Sequence, residues 1–562
     1  MMDCGSCMRF IGRVWIITGR GYNLKTINKL AKTFKDLTTE NIEYLKHVYY
    51  LDITHKEKTD ILSSKFGRSE RTIRLWWKNL NLSRLYSDLP PQLQKAQERI
   101  IDKDTQVVLV TTAQNKTSVN KDFLNNLVAY QSYLTDTLGK KCQIVIASAR
   151  YRNPTNNIED EKTKAADWWA DEVNDYLYYG RVSFGDSTIL ADARISPTAS
   201  EPLNGYELLS DNGHLILGHS RIHFKTLARL RGEPLRTMST TGYITSKNYS
   251  NSRAGAVSFE HHAYGFSIIE LKDKDSCYIP RNVKVKSDGS FIDLVYSVSQ
   301  EKVEIIDSSL GLILGDLHCR EINKPLLDLT LKLSEKYFKP NITVLHDVAD
   351  FSTANPHETK DMFIQRLKIS KNKHLIEDEI NECLDIVEEI KGCCNKVIVV
   401  ESNHDIFFQR HVDSANWKND LHNSPTYLKY AYIQQTVDLR EFGNIFGYIL
   451  YEKFKGAVEY IKMGDSFKIG EYECGMHHDW GVNGSKGSVK GLSRLNRKSV
   501  GGHTHSPVLY NNITSVGVTA NLSQYYNRKG LSSWAHAHSV VHHNGKNQLL
   551  VFGDDLSLSG LI

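Results

Sequence analysis

A chain of 562 residues exceeds what one hydrophobic core supports, so about three domains are expected. With 40% hydrophobic and 24% charged residues, 12 prolines and no long apolar run, the composition excludes disordered, fibrous and membrane-spanning classes. The net charge of +5 is uneven: residues 1–100 carry 18 Lys and Arg against 10 Asp and Glu, and the remainder carries 52 against 55. That basic segment predicts a polyanion-binding N-terminal region.

Phe10–Ile17 is short and broken by Arg13, so no export signal is expected and the chain is placed in a cytoplasm. Nine cysteines, an odd number, fit a reducing compartment, and Cys4-x-x-Cys7 lacks the second pair that a structural zinc needs. Residues 54–84 resemble a helix-turn-helix. Ile61, Leu62 and Phe66 fall at helical spacing, Gly67 can end the first helix, and Ser69 can cap a second that turns Ile73 and Trp76 inward. Arg68, Arg71, Arg74 and Lys78 are then the candidate DNA contacts. The alternative is a helical hairpin used for packing or oligomerisation.

Leu89-Pro90-Pro91 marks a linker near residues 86–95, because paired prolines cannot continue a helix. The expected domains are therefore a helical one over 1–90, a mixed α/β one over 96–300 and a third over 301–562. In the central domain the strand-like runs Val107–Val110, Gln143–Ala147 and Phe291–Val298 alternate with helical stretches such as Lys121–Leu138. Arg221, Lys225 and Arg229 stand four apart, the spacing of one cationic helix face. No internal repeat or low-complexity tract is legible.

Beyond residue 300, polar residues recur just after short apolar runs. Leu312-Ile-Leu-Gly-Asp316-Leu-His318 closes one such run and Val344-Leu-His-Asp347-Val-Ala-Asp350 a second. Val397-Ile-Val-Val-Glu-Ser-Asn403-His404-Asp405 closes a third, and His477-His478 and Gly502-His503-Thr504-His505 complete the set. Imidazole, carboxylate and amide oxygen together form a borderline-hard ligand field that suits Mn²⁺, Fe or Zn²⁺ better than Ca²⁺. The donors exceed what one ion needs, so two divalent cations are expected, most readily Mn²⁺, with Mg²⁺ less suited. Taken singly, each residue reads as a turn cap. Between the second and third runs, Ile376, Ile380, Cys383, Leu384, Val387 and Ile390 form an apolar helical stripe.

These five blocks, in this order, resemble the calcineurin-like metallophosphoesterase superfamily. The resemblance implies an α/β fold for residues 301–562: a four-layer α/β/β/α sandwich with the site in loops at strand ends. It implies Asp316, His318 and His505 on one metal, Asn403, His477 and His503 on the other, and Asp347 bridging them. It also implies that His404, held by Asp405, stabilises the transition state or protonates the leaving oxygen. The chain departs from the usual pattern at His346-Asp347, at Ser402-Asn403 and at His477-His478, where His478 stands as the alternative ligand. Asp350 reads as structural. His357 is a phosphate candidate, His536, His538, His542 and His543 read as surface or interface residues, and Tyr525, Tyr526 and Trp534 as core or packing aromatics.

Joined to a basic helix-turn-helix, such a site predicts a metal-dependent DNA nuclease, similar to the repair-nuclease branch of the superfamily. The arrangement also looks like virally encoded members of that branch, among them tailed-phage proteins that degrade host DNA, which would place it in host cytoplasm. Such enzymes are commonly homo-oligomers, with DNA as partner and no membrane. The alternatives are a DNA-tethered phosphomonoesterase or protein phosphatase, and a DNA-binding regulator or scaffold.

Overall fold

The structure is a computed structural model. It describes residues 9–10, 15–16, 45, 48, 55–66, 68–79, 90–151, 167–210, 213–355, 358–415, 419–475, 488–524, 527 and 530–562. Two compact units divide the chain at Pro91 and Gln92. In the first, β1 (Arg9–Phe10) pairs antiparallel with β2 (Trp15–Ile16). Helices α1 (His55–Phe66) and α2 (Glu70–Asn79) follow. Leu62, Ile73, Trp76 and Trp77 bury one shared core with Leu45 and Val48. Phe66 meets Trp76 edge-on at 5.6 Å. Ser69 Oγ accepts from the Thr72 amide at 3.3 Å, the cap that its residue type favours. Ile61, expected with the core, is exposed, since adjacent helical residues point about 100° apart and Leu62 takes the inward place. Arg68 and Arg71 are exposed. Arg74 and Lys78 lie on α2, their side chains outside the described set.

The second unit begins within α3 (Pro91–Gln97), at Gln92, and is a mixed α/β structure. Its first run of elements is β3 (Val107–Gln114), α4 (Lys121–Ser132), β4 (Cys142–Ala149), β5 (Leu177–Tyr178), β6 (Arg181–Phe184) and β7 (Ser187–Leu190). It continues with β8 (His214–Leu217), β9 (Phe224–Thr226), β10 (Thr237–Thr240), α5 (Arg253–His261), β11 (Gly265–Glu270) and β12 (Arg281–Lys284). A small antiparallel sheet follows: β13 (Phe291–Asp293), β14 (Tyr296–Ser299) and β15 (Lys302–Ile305).

The second run begins with β16 (Ser309–Ile313), α6 (Lys324–Leu333), β17 (Pro340–His346), α7 (Met362–Ser370), α8 (Ile376–Lys391) and β18 (Lys396–Val400). Helices α9 (Asp405–Asp413), α10 (Ser424–Thr436) and α11 (Ile445–Phe454) lead to β19 (Val458–Ile461), β20 (Lys468–Ile469) and β21 (Tyr472–Glu473). The run closes with α12 (Val489–Leu492), β22 (Ser499–Gly501), β23 (Val508–Tyr510), β24 (Ile513–Ser515), β25 (Ala537–Val541) and β26 (Asn547–Val551). All six residues of the expected stripe on α8 are buried.

Three large sheets result. Five strands run in the order β12-β11-β3-β4-β5, and six in the order β19-β18-β17-β16-β25-β26. Ten run in the order β20-β21-β22-β24-β23-β9-β10-β8-β7-β6. One core joins Val108, Val110 and Val145 of the five-stranded sheet to Ile189 and Ile216 of the ten-stranded one. Another joins Ile313, Val344 and Val400 of the six-stranded sheet to Ile469, Val500 and Val516. The ten-stranded sheet therefore packs against both others.

That sheet shows two features that the sequence did not. Strands from either side of residue 300 share it, with Leu509 opposite Phe224, so residues 96–300 and 301–562 are not separate compact units. Its order is also palindromic. From either end an antiparallel pair is followed by two parallel steps and a further antiparallel pair, and the halves meet at the antiparallel β23–β9 seam. The chain path repeats although no repeat is legible in the residues.

Arg221, Lys225 and Arg229 do not share a helix face. Lys225 lies in β9 and pairs with Glu207 at 2.7 Å. Arg229 holds Asp554, with Nη2 donating to Oδ1 at 2.6 Å, and Arg221 is buried with Nη1 donating to Asn511 at 3.0 Å. Partners far along the chain draw each cation inward. The same holds for His536, His538 and His542, which are buried rather than superficial. His538 Nδ1 accepts from the Gly315 amide at 3.0 Å and its Nε2 lies 2.9 Å from Thr330 Oγ1, and burial drives its pKa down to about 3. Among the described residues no helix is long and apolar enough to cross a membrane, and every cysteine is a free thiol.

Candidate metal centre

Strands β16, β17, β18 and β19 are parallel. Asp316, His318, Asp347 and Asn403 follow the carboxyl ends of the first three, where parallel sheets open a crevice for ligands, while His503 and His505 follow β22 of the ten-stranded sheet. The β16 strand ends at Ile313, so Asp316 and His318 stand on the following loop, not on an alternating strand. Gly315 lets that loop lie against the backbone, since a Cβ there would come within 2.8 Å of Ala537 O and Val518 N. Four candidate ligands take left-handed backbone: His318 (φ 46°), Asp347 (φ 48°), His503 (φ 84°) and His505 (φ 56°). Such conformations cost about 1–3 kcal/mol each in non-glycine residues, and they collect where function requires the strain.

Asp316, His318, Asp347 and His505 converge, each offering a ligand atom within 4.8 Å of the others, and all four are buried. His318 Nε2 lies 3.0 Å from His505 Nε2. His505 Nε2 lies 3.0 Å from Asp316 Oδ2, and His318 Nε2 lies 3.6 Å from Asp347 Oδ2. Asp316 Oδ2 also accepts from the His503 amide at 2.8 Å. Asn403 follows the end of β18, and its Oδ1 is buried with no hydrogen-bond partner among the described residues. Imidazole nitrogens facing each other among carboxylates fit the donor set of a divalent cation, and the unused Asn403 amide oxygen is a further donor of the same kind. His477 and His478 lie outside the described residues, as do His357, Tyr525 and Tyr526.

Asp350 belongs to this group, which its residue type alone did not reveal. Its Oδ1 accepts from His318 Nδ1 at 2.7 Å and lies 3.5 Å from His404 Nδ1, and its carbonyl oxygen is 3.2 Å from His404 Nδ1. A carboxylate behind a ligand histidine fixes the tautomer and presents the other nitrogen. The second acid of the Asp347-x-x-Asp350 spacing was the available sequence signal. Asp405 does not hold His404: its Oδ2 accepts from the Ser402 amide at 3.0 Å and from Tyr460 Oη at 3.1 Å. It therefore shapes the turn bearing Asn403 and His404. Trp534 packs edge-on against His505, with centroids 4.1 Å apart.

Burial alone would strip His318 of its proton, but Asp350, Asp347 and Asp316 outweigh it and push its pKa up to about 10. Burial also raises Asp350, yet the imidazoles of His318 and His404 pull it below the usual carboxylate range. Asp405 is driven well above that range by burial, then by Asp347. Burial lowers His505 despite its contact with Asp316. Several carboxylates thus share one buried imidazolium, and a bound cation would replace its proton.

The chain is similar to a phage protein. It is 28% identical over 462 residues to Protein A1 of Escherichia phage T5, covering 79% of this chain and 81% of that one. No family model and no solved structure matches the chain. The likeness supports a phage origin, and the buried Asp/His cluster supplies a site that could hold metal.

Proposed function

We propose that this protein is a divalent-metal-dependent DNA nuclease of calcineurin-like metallophosphoesterase type, acting in the host cytoplasm. One observation carries the proposal: Asp316, His318, Asp347 and His505, distant in sequence, meet in one buried group. Asp316, His318 and His505 would hold one cation, Asn403, His477 and His503 the other, with Asp347 between them. Two such cations, Mn²⁺ above all, supply a lowered pKa for water and offset charge on a phosphate. Asp350 positions His318 from behind. His404, partly exposed at 18%, has Nδ1 engaged by Asp350 and keeps Nε2 for a phosphate oxygen or a leaving oxygen. Exposed Arg68 and Arg71 in a basic unit favour DNA as the substrate. Oligomerisation follows from the same resemblance and is read by sedimentation.

The test is cleavage of duplex DNA by purified protein with Mn²⁺. Activity is expected with wild type and should fall roughly 10²–10⁴-fold in His404→Ala while Mn²⁺ binding persists. Hydrolysis confined to small phosphomonoesters would replace the nuclease assignment with a phosphatase.

A further inference from the structure

The two runs of the larger unit correspond hydrogen bond by hydrogen bond. Asn120 and Asn323 each cap the helix after the first strand. Each helix passes into a five-residue π turn, Tyr133–Thr137 or Ser334–Phe338, before the next parallel strand. Asn120 N donates to Ile244 O at 2.9 Å as Asn323 N does to Thr519 O at 3.1 Å. Ser246 N donates to Ser118 O as Asn521 N does to Glu321 O, both at 2.8 Å. Ile244 N donates to Thr112 O as Thr519 N does to Asp316 O, both at 2.8 Å. Thr112 is therefore the counterpart of Asp316.

Register extends the correspondence to other ligands. Leu217 pairs with Thr240 as Gly501 pairs with Ser515, so Gly218-His219-Ser220-Arg221 matches Gly502-His503-Thr504-His505. Where Asp347 follows β17, β4 closes on Ala147-Ser148-Ala149. Where Asn403 and His404 follow β18, Tyr179 and Gly180 follow β5. Only a histidine survives, and His219 is fully buried with both nitrogens engaged. Its Nε2 donates to Ser196 O at 3.1 Å and its Nδ1 accepts from the Arg221 amide at 3.1 Å. Among the described residues both metal-capable groups lie in the second run.

Basic groups stand near the vacated position. Arg150 and Tyr151 leave the end of β4, and Arg194, Ile195 and Ser196 come soon after β7, the counterpart of the strand that precedes His477. These residues and Pro197 line a cavity of about 370 Å³. Asp167 pairs with Arg150 at 3.0 Å, but Arg150 Nε is buried with no hydrogen-bond partner among the described residues. Arg194 is exposed. Guanidinium groups are the side chains best shaped for phosphodiester oxygens.

We propose that the first run is a metal-free copy of the candidate site, and that its arginine-lined cavity holds a backbone phosphate of DNA without cleaving it. This rests on DNA being the substrate. The test is fluorescence anisotropy of a short labelled duplex with the full-length chain in EDTA, at several salt concentrations. Arg194→Glu, at an exposed position, should weaken binding about tenfold and flatten the log–log salt dependence by about 1; Arg150→Gln should act in the same direction. Affinity and slope equal to wild type in Arg194→Glu would overturn the proposal. So would calorimetry showing more than two Mn²⁺ per chain. Cleavage is read separately. Arginine-dependent binding without Mn²⁺-dependent cleavage removes the nuclease assignment and keeps this one, whereas cleavage with binding indifferent to Arg194 does the reverse.

Discussion

Two loop clusters at equivalent places in the larger unit differ sharply in chemistry. At the ends of β16 and β17 stand Asp316, His318, Asp347 and Asp350; at the ends of β3 and β4 stand Thr112, Gln114, Ala147, Ser148 and Arg150. Both sets rest on parallel strands with the same helix cap and the same π turn. The difference shows that the backbone path supplies a crevice and the loops decide what the crevice holds. One set is rich in carboxylate and the other carries a single charged side chain, Arg150.

The largest effect should come from making the active-looking cluster resemble its counterpart. His505→Arg, which copies Arg221, places a guanidinium among the ligands. Mn²⁺-dependent cleavage should then fall by more than the roughly 100-fold that loss of an outer-sphere partner costs. Calorimetry should show at least one ion lost per chain. Activity near wild type would break the contrast between the halves.

A smaller loss is expected at Asp350. Asp350→Asn keeps the shape and removes the charge behind His318, so Mn²⁺ affinity should weaken about 10–100-fold, measured by titration calorimetry. Unchanged affinity would return Asp350 to the purely structural role that its sequence position suggested.

The seam between halves offers a stability test. Phe224 is buried opposite Leu509 in the shared sheet, so Phe224→Ala should cost about 3–5 kcal/mol. The larger unit should still unfold in one transition, because strands of both halves share hydrogen bonds. Two separate transitions in denaturant would show that the halves are independent.

The smallest effect concerns Lys284, whose pKa is lowered to about 7 by burial, then by Lys546 and Lys498. Its ammonium faces Tyr472 and donates to Asn547 Oδ1 at 2.5 Å. The unfolded chain holds this proton up to the ordinary lysine range, so between pH 7 and that range unfolding takes up a proton and stability rises with pH. The melting temperature of wild type should climb more steeply over that window than that of Lys284→Met. Parallel curves would show that Lys284 titrates normally.

Much of the candidate site was legible because ligand chemistry belongs to residue types and their order. Asp316, His318, Asp347 and His505 could be nominated without coordinates, as could the buried stripe on α8 and the cap at Ser69. Other features depend on partners remote in the chain. Arg221, Lys225 and Arg229 have helical spacing, yet Asn511, Glu207 and Asp554 draw them into a strand and its loops. Asp350 and Asp405 exchanged their expected roles for the same reason: which acid reaches His404 is set by the turn after β18.

By itself the sequence determined the α/β alternation, the basic N-terminal region and the identity of the metal-capable side chains, since these follow from local period, charge and donor type. Only the tertiary structure decided that four of those side chains meet, and that residues on both sides of position 300 build one sheet. It alone exposed the repeated path. Backbone hydrogen bonds hold that path whatever the side chains are, so the loops of the two halves could diverge until, among the candidate ligands, a single match survived, His219 with His503.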